Sequence, residues 1–125
     1  MPSNILVVED SRTTRKFLTV VLKGDGYHVI TAENGIEALE RLSSINVDAI
    51  VTDLNMPQMD GLEFIRAIRE NDDYSRIPIL LLTTEGEERG RKQGLEAGAT
   101  AYMAKPIEPE VFLGAVKKLI TVIGQ

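Results

Sequence analysis

Five times along this chain a short run of consecutive apolar residues gives way to a longer stretch whose apolar residues recur every three or four positions. The runs are Ile5-Leu6-Val7-Val8, the segment from His28 to Ala32, Ala49-Ile50-Val51, Pro78-Ile79-Leu80-Leu81-Leu82 and Ala101-Tyr102-Met103-Ala104. A short, unbroken and largely branched apolar run is the pattern of a strand covered on both faces. The intervening stretches read as helices. Ser11 caps the first, with Phe17, Leu18, Val20, Val21 and Leu22 as a broad apolar face ending at Gly24-Asp25-Gly26. The second follows Asn34-Gly35 with Ile36, Leu39 and Leu42. The third runs from Gly61 to Asn71 under an Asp60 cap, with Leu62, Ile65 and Ile68 inward and Arg66, Arg69 and Glu70 in water. The fourth, Glu87 to Ala97, contains Gly90 and Gly94, each costing ~1 kcal/mol relative to Ala, and should be the weakest. Pro109 opens the last, whose face is Phe112, Val116, Leu119, Ile120 and Ile123. Strand–helix alternation with short connections predicts an α/β, doubly wound parallel sheet of five strands with helices on both faces, joined by right-handed crossovers.

The 125 residues are enough for one domain with one well-formed core. A net charge of −5 argues against direct nucleic-acid binding, and no apolar run approaches the ~20 residues of a membrane helix. Without cysteine there is no disulfide framework, thiolate zinc site or thiol nucleophile. No basic-then-apolar leader is visible at the N-terminus, so the expectation is a cytoplasmic, single-domain protein at residues 1–125, without membrane insertion and monomeric.

In doubly wound sheets the ligand site lies outside the carboxyl ends of the strands, near the point where strand order reverses. Polar residues stand at four such ends: Glu9-Asp10, Asp53, Thr83-Thr84 and Lys105-Pro106. Each has an unremarkable reading alone, as a helix-start acid, a loop carboxylate, a strand threonine or a surface lysine. Together they require a coincidence at four strand ends. Three carboxylates on one edge repel one another, and a divalent cation with oxygen ligands, magnesium with manganese as a substitute, is the natural neutraliser. Such a site suits an aspartyl-phosphate chemistry with Asp53 as nucleophile, Lys105 as the cation and Thr83 as the hydroxyl donor meeting the phosphoryl oxygens.

The acidic pair after strand one, DLNMPQMDG around strand three, LLTT after strand four and YMAKP after strand five resemble the response-regulator receiver family over essentially the whole chain. The resemblance implies the sheet order 2-1-3-4-5, a histidine kinase as phosphodonor to Asp53, and magnesium at Glu9, Asp10, Asp53 and the backbone carbonyl of Asn55. It further implies an aromatic switch made by Thr83 and Tyr102, hydrolysis-rate tuning at Asn55 and Glu85, and Pro106 as a cis-proline candidate. The downstream protein target would bind the face of helix four, strand five and helix five. With no effector domain expected, the chain is similar to stand-alone chemotaxis-type regulators, the alternative being a relay receiver outside chemotaxis. Outside self-phosphorylation and autodephosphorylation no enzyme activity is implied. Thr84 departs from the small residue usual after the threonine, and Glu9 stands where Asp is common. A haloacid-dehalogenase-type phosphatase needs a second Asp two residues after the nucleophile, where this chain has Asn55. A flavodoxin-like cofactor binder would place a phosphate loop after strand one, where Glu9-Asp10 would repel phosphate. His28, the single histidine, reads as strand filling or surface.

Overall fold

The computed structural model of the chain describes residues 2–84 and 88–123. Its elements follow in the expected alternation: β1 (Asn4–Val8), α1 (Arg12–Gly24), β2 (His28–Ala32), α2 (Gly35–Leu42), β3 (Ala49–Asp53), α3 (Gly61–Glu70), β4 (Ile79–Thr84), α4 (Glu88–Ala97), β5 (Ala101–Lys105) and α5 (Pro109–Ile123). The strands form one parallel sheet in the order β2-β1-β3-β4-β5. From β1 the chain steps outward to β2, then returns across β1 to β3, so strand order reverses between β1 and β3. Asp53 closes β3, and Glu9 follows β1, at this switch point.

Successive strand residues point to opposite faces, which divides the core into two layers. Leu6, Val8, Ile50, Ile79 and Leu81 pack beneath α2 and α3 with Ala38, Leu42, Phe64, Ile65 and Ile68. Ile5, Val7, Ala49, Val51, Leu80 and Leu82 pack beneath α1 and α5 with Leu18, Leu22, Phe112, Val116 and Leu119. A strand buried on both sides needs continuous apolar sequence, as in the runs of β1, β3 and β4.

The two expected caps form: Ser11 accepts from the Thr14 N–H, and Asp60 joins Glu63 in a reciprocal capping box. Asn34 caps α2 as well, accepting from the Glu37 N–H.

Several helix faces differ from expectation. On α1 only Leu18 and Leu22 are fully buried, while Phe17 and Val20 stand in solvent, because the sheet covers a narrower stripe than the run of apolar residues offers. On α2 Ile36 is exposed, Ala38 and Leu42 pack against the sheet instead, and Gly35 is buried against Met59 and Phe64. Arg69, expected in water, is half-buried: its guanidinium donates to the carbonyls of Gly98, Ser75 and Ile77 at 2.9, 3.1 and 2.7 Å, and lies 3.4 Å from Thr100 Oγ1. These bonds tie the end of α3 to the turns before β4 and β5. Gly98, at φ 121°, leaves room for the arginine stem. Gly94 is more than a weak point in α4, since a Cβ there would overlap the Leu81 methyl on β4. The glycine lets α4 approach the sheet.

Candidate functional site

The sheet brings most of the expected residues to one place. Asp53 is 6 % exposed, and its Oδ1 accepts from the Leu54 N–H at 3.0 Å and lies 3.2 Å from Lys105 Nζ. Two donors on one oxygen fix the plane of this carboxylate. Glu9 is 1 % exposed, its Oε1 pairing with Lys105 Nζ at 3.0 Å and its Oε2 accepting from the Ser11 N–H at 3.1 Å. Lys105, at the end of β5, therefore reaches across β4 and β3 to both acids. Asp10 is exposed, and Glu9, Asp10 and Asp53 each offer a carboxylate oxygen within 4.8 Å of the others.

The electrostatics follow from burial. Desolvation raises the Glu9 pKa, the Ser11 N–H bond opposes it, the Asp53 charge adds to it and Lys105 opposes it, leaving Glu9 at about 7 instead of 4.5. Burial by itself would lower Lys105, but the hydrogen bond to Glu9 and the charges of Asp53 and Glu9 outweigh it and hold the ammonium above the usual lysine range. Three carboxylates sharing one mouth against one ammonium leave an excess of negative charge. An all-oxygen donor set with that excess fits magnesium or manganese and not zinc.

The loop that follows β3 is anchored to the strand. Gly61 N–H donates to Leu54 O at 2.8 Å, and a Cβ at Gly61 would lie 2.5 Å from Asp53 O and 2.8 Å from Leu54 Cα. Only glycine admits so close an approach of α3 to the end of β3. Gln58, within this loop, adopts φ 68°.

Thr83 is buried at 2 % exposure on β4, one residue beyond Leu82, the register partner of Asp53. Thr84 is exposed. Tyr102 is 38 % exposed on β5, and the Arg91 guanidinium sits 4.8 Å from its ring centroid. Asn55 is exposed in the loop after β3. The Lys105–Pro106 peptide bond is cis, matching the candidate at Pro106. His28 is exposed on edge strand β2, away from the cluster. Glu85 lies outside the described residues.

Two residues of the site escaped the sequence reading. Gly61 read only as the first residue of a helix, and nothing in its neighbours announced a backbone contact with Asp53. Arg15, one turn into α1, donates back to the carbonyls of Glu9 and Asp10. Its place four residues after the Ser11 cap was the available signal.

A parallel doubly wound sheet with acids and a lysine gathered at its switch point defines a narrow class of α/β proteins. The model of the response regulator receiver domain matches residues 5–117, and the chain belongs to that family, whose members act in two-component signalling. It is 41 % identical over 120 residues to the response regulator MprA of Mycobacterium sp. (strain KMS), covering 96 % of this chain and 51 % of that protein. It is 38 % identical over 122 residues to the chemotaxis protein CheY1 of Helicobacter pylori, covering 96 % of each. The chain thus spans about half the length of several curated relatives it matches, MprA and ResD of Bacillus subtilis among them. Among solved structures, the receiver domain of the sensor histidine kinase PA1611 from Pseudomonas aeruginosa PAO1 superposes with a TM-score of 0.89 at 30 % identity, over 97 % of this chain and 99 % of that one. That structure carries a magnesium ion coordinated in its active-site cleft. Receiver domains generally bind magnesium at an acidic cluster and interact with histidine kinases and downstream targets. No described helix is long and apolar enough to cross a membrane.

Proposed function

We propose that this chain is a phosphorelay receiver in which Asp53 accepts a phosphoryl group from a histidine kinase. The observation that carries the reading is the Asp53 carboxylate, buried at the mouth of a central strand, held by Lys105 at 3.2 Å and grouped with Glu9 and Asp10. An Asp53 oxygen attacks phosphorus, the phosphorus–nitrogen bond of the phosphohistidine breaks, and the departing imidazole takes a proton from solvent, leaving an acyl phosphate. Lys105 sits where negative charge spreads over the phosphoryl oxygens, and Thr83, on the neighbouring strand end, supplies a hydroxyl to the same group. Glu9, Asp10, Asp53 and the Asn55 carbonyl would hold magnesium, which when bound neutralises the acids and polarises a phosphoryl oxygen.

Phosphorylation adds roughly one to two negative charges and three acceptor oxygens, which draw Thr83 and Lys105 closer. The exposed Tyr102 moves inward with Thr83, altering the face of α4, β5 and α5 that receives the downstream protein. Asn55 and Glu85 set the lifetime of the acyl phosphate. The near full-length match to CheY1 supports a chemotaxis-type regulator. The equally strong match to half of MprA supports a receiver of another pathway.

Incubation with acetyl phosphate and magnesium, followed by intact-mass measurement, should show one added phosphoryl group that is lost with time. Asp53→Asn should abolish it. Labelling of that variant at the normal rate would refute the assignment, and sustained turnover of phosphomonoesters would favour a phosphatase.

A further inference from the structure

The turn between β1 and α1 presents two of the three clustered acids, and one side chain fastens it. The Arg15 side chain, 18 % exposed, reaches back along α1: Nη1 donates to Glu9 O at 2.8 Å and lies 3.4 Å from Asp10 O, while Nη2 lies 3.6 Å from Glu33 Oε1 on the turn after β2. The same turn is held from the sheet by the Glu9 N–H, which donates to Ala32 O at 3.0 Å. With its carboxylate engaged by Ser11 and Lys105, Glu9 has its backbone and side-chain polar groups committed. Asp10 differs, because its side chain faces solvent and its carbonyl lies under the guanidinium.

We propose that Arg15 is the positioning residue of the acidic cluster, fixing the backbone from which Asp10 presents its carboxylate to a divalent cation. The proposal rests on the metal-site reading given above. A guanidinium suits this task because its planar fork spans two carbonyls and the Glu33 carboxylate at once, which a lysine ammonium cannot match. The sign of its effect distinguishes positioning from charge. A cation beside a cation site repels the incoming metal, so loss of Arg15 as a charge alone would tighten magnesium binding. As a positioning group, its loss leaves Asp10 to be ordered at the moment of binding, which weakens it. Groups that orient metal ligands from behind typically account for about 10- to 100-fold in affinity.

The test is magnesium titration by calorimetry on the whole chain at fixed ionic strength, with far-ultraviolet circular dichroism as the check on folding. Arg15→Met should weaken the magnesium Kd by about tenfold, at the low end of that range because Asp10 is exposed. Arg15→Lys, which keeps the charge but not the fork, should weaken it by about threefold, and it serves if the methionine variant misfolds. Glu33→Gln leaves the carbonyl bonds in place and should stay within about twofold. In the metal-free protein, amide exchange at Asp10, Ser11 and Arg12 should quicken in Arg15→Met and not in Glu33→Gln. Unchanged or tighter binding in a folded Arg15→Met or in Arg15→Lys overturns the proposal. Absence of any magnesium binding by the unaltered chain overturns the metal-site reading instead, and this assignment with it.

Discussion

Gly61→Ala should damage both stability and phosphorylation, although it adds a single methyl group to the start of a helix. The new Cβ would lie 2.5 Å from Asp53 O, 2.8 Å from Leu54 Cα and 3.1 Å from Leu54 O, all backbone atoms. Real Cβ contacts keep at least 3.0 Å, so α3 and the end of β3 must part by about half an ångström. No rotamer change can relieve a clash with backbone, and the Gly61 N–H to Leu54 O bond of 2.8 Å stretches as they part. Overpacking of this kind costs ~1–3 kcal/mol, here towards the upper end, while better helix propensity returns at most ~1 kcal/mol, so the net loss is about 2 kcal/mol. Because a displacement near 1 Å costs ~100-fold in positioned chemistry, half that shift at Asp53 should slow phosphorylation roughly tenfold. Urea unfolding measures the first effect and the rate of labelling by acetyl phosphate the second. Gly114→Ala on α5 is the control: nothing lies within 4 Å of its Cβ, so it should stabilise by up to ~1 kcal/mol with no change in labelling. If Gly61→Ala unfolds at the same or higher urea concentration than the unaltered chain, the close-approach argument fails.

Two other perturbations separate burial from surface chemistry. Arg69→Met strands the carbonyls of Gly98, Ser75 and Ile77, and should lower unfolding free energy by about 2–3 kcal/mol; a loss under ~0.5 kcal/mol in urea would show that water replaces the guanidinium freely. Glu9 has its folded pKa raised from 4.5 to about 7, so between those values the folded chain retains a proton that the unfolded chain has released. Its contribution to stability is then largest below pH 4.5 and declines as pH rises through 7, by at most about 3 kcal/mol. Magnesium, which favours the charged form, should flatten that decline. The measurement is unfolding at pH 5 and pH 8, with and without magnesium, for the chain and for Glu9→Gln. A pH slope no different between the two without metal would mean that burial does not penalise the Glu9 charge.

The order of strands and helices and the chemistry at the strand ends were legible in the sequence because both depend on local pattern. Consecutive apolar residues in β1, β3 and β4 declare burial on two faces, and acids or hydroxyls placed where such runs stop declare an edge. Ser11, Asn34 and Asp60 mark helix starts through hydrogen bonds that span only three residues. Helix faces were less legible. Phe17, Val20 and Ile36 have the right spacing for burial, but the width of the sheet beneath decides how many apolar residues a helix can cover. What tertiary structure alone decided are contacts between segments distant in sequence, for which local pattern has no signature. The Lys105 ammonium between Glu9 and Asp53, Arg69 across the turns before β4 and β5, and the close backbone approaches at Gly61 and Gly94 that leave no room for a Cβ all arise from how the elements pack. Charge and propensity say which residues could take such places, and only packing brings the partner within hydrogen-bonding reach.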